Sequence, residues 1–252
     1  MTTTKTIHVT GIGDFHVPTD TEMHALDGEA CIRGLCGRYE PALATSLGEW
    51  GHRCGQEYSY LGRTAPEDVA TILDIGHNVG GYFVWACREW WPGTVKRVDA
   101  YDPNPMCHEV AALNVSLVQR GIQVNLHQLA VTTEAHAVFH EDVRPGCSWT
   151  STTRDAQFLS TRQPIDGGRP VPSVHPGDLP AADAVKIDAE GIEGEVLTHY
   201  PHWATVKVAQ IEWHTHENRI LMFDVLRRAG LTLVKNDCGE DQQGVACWVR
   251  KP

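Results

Sequence analysis

A glycine-rich segment with one acidic residue lies between residues 71 and 81 of the chain. Asp74 belongs to the apolar run TILDI, which breaks at Gly76, and Gly80 and Gly81 follow. Glycine permits a tight turn and a close approach of the backbone to a ligand. A helix that begins beyond such a turn offers unpaired N–H groups to a carboxylate or a phosphate. The segment therefore predicts a loop that binds a nucleoside cofactor; the alternative is that the glycines only end a strand.

A second carboxylate, Asp102, lies 26 positions after Gly76, at the end of another apolar run. A carboxylate in that place can accept both hydroxyls of a ribose. The dinucleotide fingerprint G-x-G-x-x-G, aligned on this loop, places Asn78 at its second glycine, where a side chain obstructs a pyrophosphate. S-adenosylmethionine has a ribose and no pyrophosphate, and its ammonium group offers Asp74 a cation that NAD lacks. The loop therefore favours S-adenosylmethionine over NAD.

Three further acids follow the apolar run at residues 184–187. Asp188 falls at the predicted strand end, and Glu190 and Glu193 lie on the next turn. The helix dipole alone fully explains an acid at the position of Glu193. It explains Asp188 and Glu190 less well, because three acids and a lysine crowd one strand end. Crowded carboxylates in a cleft can serve as bases.

A polar segment at residues 211–216 ends the fifth predicted strand. Alternate side chains of a strand share a face, so Glu212, His214 and His216 would point the same way. With Asp188 they form a metal site, a base with an orienting acid, or only a solvated strand end. We predict no bound metal. The catalytic candidates are Asp188, Glu190, Glu212 and His214.

These segments need a scaffold that brings several strand ends together. From residue 71 to 235, apolar runs of strand length alternate with segments of helix length. This order predicts an α/β fold with a mostly parallel sheet, helices on both faces, and a final antiparallel pair at residues 231–234 and 245–249. Ligands of such sheets bind at the carboxyl ends of the strands, where the candidate side chains fall.

Turn residues set the bounds of the other predicted elements. Helices are predicted at residues 82–91, 191–200 and 218–229, and another begins at Pro105. Further strands are predicted at residues 97–101, 122–131, 137–139 and 206–211. Residues 143–182, which are rich in Pro, Gly, Ser and Thr, predict irregular strands and loops.

The chain resembles the FkbM-type S-adenosylmethionine-dependent methyltransferases. The segments that carry the resemblance are LDIGHNVGG at 73–81, VDAYDPNP at 98–105 and VKIDAEGIEGEVL at 185–197. It covers roughly residues 70–235 in order, with LRRAGL at 226–231 near its end. It implies a class I methyltransferase (Rossmann-like) fold, whose seven-stranded sheet has an antiparallel last strand.

The resemblance also implies roles for single residues. The residues predicted to bind the cofactor are Asp74, Gly76, Asn78, Gly80, Asp102, Asn104, Gln128 and Ala130, together with His77 and Pro103, which lie beside them in the chain. The glycine loop would hold the methionine part of S-adenosylmethionine, and Asp102 would hold the ribose. Gln128 and Ala130 would flank the adenine. His77 departs from the family pattern, which usually has a small residue there.

The predicted activity is transfer of a methyl group from S-adenosylmethionine to a hydroxyl of a small natural product or sugar. The resemblance implies that Asp188 and Glu190 face the methyl group and the acceptor. The alternative acceptor is a peptide side-chain nitrogen. The rival classes are a nicotinamide-dependent oxidoreductase and a non-catalytic nucleoside-binding protein. Residues 69–252 would form the catalytic domain, and residues 1–68 a lid over the acceptor site.

Composition limits the partners and the location of the protein. The 252 residues include 32 acidic and 21 basic side chains, for a formal net charge of −11. Such a charge argues against nucleic acid or an anionic membrane as the main partner. The sequence contains no run of 18 apolar residues, so we expect no transmembrane helix. With no signal-peptide pattern at the start, the eight cysteines predict reduced thiols and a cytoplasmic location. The oligomeric state stays open.

Overall fold

The computed structural model describes residues 4–9, 12–18, 66–135, 137–142, 164–189, 191–238 and 244–251. Their strands are β1 (Thr4–Val9), β2 (Gly13–Pro18), β3 (Thr71–Ile75), β4 (Arg97–Tyr101), β5 (Gln123–His127), β6 (Ala130–Val131), β7 (Ala137–Asp142), β8 (Pro164–Val171), β9 (Ser173–Val174), β10 (Ala184–Ile187), β11 (Val208–Trp213), β12 (Thr232–Cys238) and β13 (Gly244–Val249). Their α-helices are α1 (Gly81–Trp85), α2 (Pro105–Asn114), α3 (Glu193–His199) and α4 (His216–Arg228).

Seven strands form the central sheet, in the order β12-β13-β11-β10-β3-β4-β5. The pairs that join β5, β4, β3, β10 and β11 are all parallel. β13 runs antiparallel between β11 and β12. The prediction of a mostly parallel seven-stranded sheet with an antiparallel last strand is confirmed, as is the final antiparallel pair.

The strand order reverses beside β3. The chain proceeds from β3 outward to β4 and β5, and later returns to place β10 on the other side of β3. Loops that leave neighbouring strands in opposite directions open a crevice at their carboxyl ends, which is where open α/β sheets bind ligands. The loops after β3, β4 and β10 therefore meet at the point where the sequence places its candidate residues.

Apolar side chains on the two faces of the sheet form two separate cores. In β3, Ile72 belongs to one core and its neighbour Leu73 to the other, because successive side chains of a strand alternate. Both are fully buried. Such strands read as nearly continuous apolar runs, which is why TILDI and AVKI are recognisable in the sequence.

The hairpin of β1 and β2 packs on the sheet through α2. Phe15 and Val17 are fully buried in the same core as Ile72. Asn114, at the end of α2, accepts a hydrogen bond from the His16 backbone N–H (2.8 Å) and donates to the carbonyls of His16 (2.9 Å) and Val79 (2.8 Å). This part of the first 68 residues is thus built into the core; residues 19–65, which carry most of the predicted lid, lie outside the described residues.

Several predicted elements differ in detail. The helix expected at 82–91 is α1 followed by a π-helical turn, Ala86–Trp90. The strand expected at 122–131 is divided, because β6 leaves the central sheet to pair with β9. In the region 143–182, β8 pairs antiparallel with β7, and residues 143–163 lie outside the described residues. None of the described helices combines the length and the apolar character that a membrane span requires.

Candidate active site

The loop between β3 and α1 requires glycine at its first position. Gly76 has a φ of 77°, a left-handed conformation that side chains disfavour. A Cβ there would lie 1.7 Å from the backbone carbonyl oxygen of Asp188. The Gly76 N–H donates to the carbonyl oxygen of Tyr101 (2.8 Å). The glycine therefore lets three strand ends approach one another, and Gly80 (φ 86°) opens α1.

Asp102 lies directly beneath the turn of this loop. Its two carboxylate oxygens accept the backbone N–H groups of Asn78 (2.9 Å) and Asn104 (2.8 Å). Burial raises the pKa of Asp102 to about 6, and the two hydrogen bonds partly offset that rise. A carboxylate has about four lone-pair sites, so two backbone donors leave sites for the two hydroxyls of a ribose.

Asn78 is held in an unusual conformation. Its φ is 52°, the only positive φ of a non-glycine residue in the described part of the chain. Its side-chain oxygen lies 3.7 Å from the Sγ of Cys107, on α2. The Asn78 side chain therefore lies between the loop and α2.

Asp74 and Lys186 form a buried ion pair beneath the loop. The strand register pairs these two residues across β3 and β10, and their charged atoms lie 3.2 Å apart. The Lys186 Nζ also donates to the carbonyl of Gly76 and lies 3.9 Å from Asp188. Burial lowers the pKa of Lys186, but the carboxylates of Asp74 and Asp188 raise it by more, so the net shift is upward. Lys186 therefore stays protonated.

This pair changes the role of Asp74. The sequence predicts that its carboxylate meets the ammonium group of the cofactor, but its side chain is fully buried and faces Lys186. We assign Asp74 to holding Lys186 under the Gly76 carbonyl. From the sequence, Lys186 was considered only as the lysine beside three acids at one strand end, and no partner was predicted for it. The signal that could have found the pair is the matching place of both residues, one before the last residue of their strands.

His77 is a buried, neutral part of the loop. It is 1% exposed, and its Nδ1 lies 2.7 Å from the Asn78 carbonyl oxygen, to which it donates. Its Nε2 has no hydrogen-bond partner among the described residues. Burial lowers the pKa of His77 to about 4. The predicted contact of His77 with the cofactor has little exposed surface to support it, so we assign His77 to shaping the turn.

The remaining predicted cofactor residues lie at the ends of β4 and β5. Asn104 is the N-cap of α2, and its side chain accepts the Met106 N–H (3.0 Å). Pro103 is partly exposed, Gln128 is exposed, and Ala130 is buried. The predicted adenine contacts of Gln128 and Ala130 stay predictions.

A second cluster lies at the ends of β10 and β11. Asp188, Glu212 and His214 each present one oxygen or nitrogen atom, and these three atoms all lie within 4.8 Å of one another. We call these residues the acid–histidine cluster. The register explains it, because Ile187 pairs with Ile211 and so sets Asp188 level with Glu212. Asp188 is 22% exposed, whereas the side chains of Glu212 and His214 are almost wholly buried.

Glu193 orients the histidine of the cluster. Its side chain is fully buried and accepts from the Nδ1 of His214 (2.8 Å), the Asn218 amide (2.8 Å) and the Gly191 N–H (2.8 Å). Sequence reasoning explained Glu193 by the helix dipole alone, which misses this contact. The sequence did contain one signal for this contact, because Asn218 lies in the first turn of the facing helix α4, just after its cap residue Thr215.

Two other sequence candidates stand apart from the cluster. The prediction that His216 shares a strand face with Glu212 is wrong, because β11 ends at Trp213 and the exposed His216 begins α4. The Thr215 cap turns the chain at this point, since its side chain accepts the Asn218 N–H (3.1 Å). Glu190 lies outside the described residues.

Comparisons with known proteins place the fold in context. No protein-family model and no curated protein matches the chain by sequence. Among solved structures it is similar to a precorrin-6y C5,15-methyltransferase from Geobacter metallireducens GS-15, at 15% identity and a TM-score of 0.44, over 77% of this chain and 87% of that chain. It is also similar to a ribosomal protein L11 methylase from Lactobacillus delbrueckii subsp. bulgaricus, at 14% identity and a TM-score of 0.42, over 79% and 80%.

The strand order itself defines the fold class. Five neighbouring parallel strands, a reversal beside the first of them, and an antiparallel strand inserted before the edge make up the class I methyltransferase (Rossmann-like) fold. The candidate site lies at its reversal point, with the glycine loop on one side and the acid–histidine cluster on the other.

Proposed function

We propose that this chain is an S-adenosylmethionine-dependent methyltransferase. The observation that carries the proposal is the Asp102 carboxylate, which the N–H groups of Asn78 and Asn104 hold beneath the glycine loop. This carboxylate suits a ribose, whereas the Asn78 side chain disfavours a pyrophosphate. The resemblance to the FkbM-type methyltransferases supports the same cofactor.

The chain's own residues divide the work between two sides of the crevice. When bound, S-adenosylmethionine supplies an activated methyl group on a sulfonium. The loop from Gly76 to Gly80 and Asp102 would bind and orient it. The acid–histidine cluster lies across the ends of β10 and β11, where an acceptor would approach, and could take its proton.

We propose a hydroxyl of a small natural product or sugar as the acceptor. A lone pair of the hydroxyl oxygen forms the new bond to the methyl carbon, the C–S bond breaks toward sulfur, and a neutral thioether leaves. The hydroxyl proton must also leave, and the cluster offers carboxylate and imidazole groups to receive it. Alignment of oxygen, carbon and sulfur, together with exclusion of water, supplies much of the rate. N-methylation of a peptide side chain is the alternative outcome of an acceptor screen.

A cytoplasmic location of the protein stays a prediction.

Calorimetric titration of S-adenosylhomocysteine, with NADH in parallel, tests the cofactor. We expect the wild-type protein to bind S-adenosylhomocysteine and not NADH. We expect the Asp102→Ala variant to lose the binding of S-adenosylhomocysteine. The matched control is Asp99→Ala, since Asp99 is a buried acid of β4, the strand that ends just before Asp102, and pairs with Arg97 instead of the loop. Binding of NADH alone would point to an oxidoreductase. Binding of S-adenosylhomocysteine without turnover of any acceptor would favour a non-catalytic nucleoside-binding protein.

A further inference from the structure

We propose that the acid–histidine cluster binds a divalent metal ion, with Asp188, Glu212 and His214 as ligands. This differs from our sequence-based prediction of no metal. The observation behind it is that two adjacent strand ends bring one atom of each side chain to within 4.8 Å of the other two.

The spacing suits one ion with small adjustments of the side chains. An octahedral ion with bonds of about 2.1 Å holds its ligands roughly 3 to 4.2 Å apart. The His214 Nε2 and the Glu212 Oε1 lie 3.8 Å apart, within that range. Asp188 is the most exposed of the three, so it has the most room to move, and its exposure leaves a side open for further ligands.

Glu193 prepares the histidine for a metal. A carboxylate only accepts hydrogen bonds, so the 2.8 Å contact places the proton of neutral His214 on Nδ1. The lone pair is then on Nε2, which is the atom that faces Glu212. A histidine whose second nitrogen donates to a carboxylate is the usual arrangement of a metal ligand. Asn218 binds the other oxygen of Glu193 (2.8 Å) and fixes this carboxylate in turn.

The ligand types favour Mn²⁺ among common ions. Two carboxylates suit hard cations such as Mg²⁺ and Mn²⁺, whereas the imidazole favours a transition metal. The charge is also suitable, because a divalent cation neutralises the two carboxylates. Lys186 already lies 3.9 Å from Asp188, so a cation there must share this carboxylate with the lysine. That sharing predicts moderate rather than extreme affinity.

This inference rests on the proposed function and makes it more specific. A hydroxyl oxygen that coordinates the cation would have a lowered pKa and release its proton to water, so the three cluster residues would act as metal ligands and water would accept the proton in their place. The acceptor would then be a compound whose hydroxyl has a neighbouring oxygen, because two oxygens can coordinate the open side together. The methyl transfer itself is unchanged: the C–S bond breaks as the O–C bond forms.

Mn²⁺ binding, followed by the electron paramagnetic resonance signal of the free ion, tests the site without any turnover. The protein is first treated with a chelator and desalted. We expect wild type to bind one equivalent of Mn²⁺, and His214→Ala and Glu212→Gln each to weaken binding at least tenfold. Glu193→Gln should weaken it about 10- to 100-fold through the orientation of His214. The controls are His216→Ala and Glu217→Gln, which change an exposed histidine and an exposed acid nearby and should bind as wild type.

Two outcomes would contradict the site. One is no binding by wild type of Mn²⁺, Mg²⁺ or Zn²⁺, and the other is equal loss in the control variants. Thermal unfolding of each variant shows whether it has folded. S-adenosylhomocysteine titration separates this inference from the proposed function: cofactor binding without metal binding would overturn only the metal site, and metal binding without cofactor binding would overturn only the methyltransferase.

Discussion

Asp102 is a buried carboxylate whose protonation should control cofactor affinity. Its two backbone donors hold it in place, but burial leaves its pKa raised to about 6. A protonated carboxyl has lost part of its capacity to accept from the ribose hydroxyls. Cofactor binding should therefore be full above this pKa and be lost as the pH falls through it.

Calorimetry at two pH values tests this. We expect the affinity of the wild type for S-adenosylhomocysteine to fall about tenfold between pH 7 and pH 5, since one pH unit below the pKa corresponds to about 1.4 kcal/mol. Asp102→Asn, which cannot titrate, should bind weakly with a much flatter pH profile. A wild-type affinity that is equal at both pH values would contradict this role.

His77 makes the folded state sensitive to acid. Its pKa is about 4 in the folded protein, against an ordinary value of 6.5. Between these values the unfolded chain binds a proton that the folded chain does not, so stability is lost as the pH falls through this window. At pH 5 the titration of His77 should therefore have lowered the free energy of unfolding by about 2 kcal/mol relative to neutral pH.

The variant His77→Ser tests the direction of this pH dependence. It carries a small side chain, as is usual at this position in the FkbM-type methyltransferases that the chain resembles. We expect it to be less stable than wild type at pH 7.5 because the buried ring is missing. Between pH 7.5 and pH 5 it should then lose about 2 kcal/mol less free energy of unfolding than wild type. Denaturant unfolding at both pH values measures the difference. Parallel losses in the two proteins would show that His77 does not titrate in this way.

At the scale of elements, the loop after β3 depends on one close approach of backbones. Gly76→Ala would place a methyl group against the Asp188 carbonyl and keep a positive φ that alanine disfavours. We expect a loss of at least about 3 kcal/mol in unfolding free energy, together with loss of cofactor binding. Gly93→Ala is the matched control, because Gly93 has a similar φ of 82° and no atom within 4 Å of the added Cβ. It should cost only about 1 kcal/mol, and equal costs would argue against the close approach.

At the scale of the whole molecule, the hairpin of β1 and β2 is part of the fold. Phe15 is fully buried in the core beneath the sheet. Phe15→Ala should therefore cost about 3 to 5 kcal/mol of unfolding free energy, the usual loss for a buried phenylalanine. Ile220→Ala, at a side chain that is 59% exposed, should change it by less than about 0.5 kcal/mol. A small effect at Phe15 would mean that the hairpin is an appendage, as a separate lid would be.

The local pattern of the chain was enough to predict the scaffold. TILDI, RVDAY and AVKI read as buried strands because parallel strands are covered on both faces. Gly76 indicates a turn because glycine can adopt a backbone conformation that residues with side chains disfavour. Asn104 and Pro105 indicate the start of α2. The α/β class, the mostly parallel sheet and the final antiparallel pair followed from such signals, each of which depends on only a few neighbouring residues.

Contacts between distant residues were beyond the same reasoning. Asp74 and Lys186 lie 112 positions apart in the chain, and only the register of β3 and β10 makes them a pair. Glu193 and His214 meet because α3 and β11 pack against each other, and the cap at Thr215 removes His216 from the site. By itself, the sequence determined the strands, the turns and the residues able to do chemistry. The tertiary structure decided which of them meet, because a side chain's partner is set by strand register and helix packing, and its charge by burial.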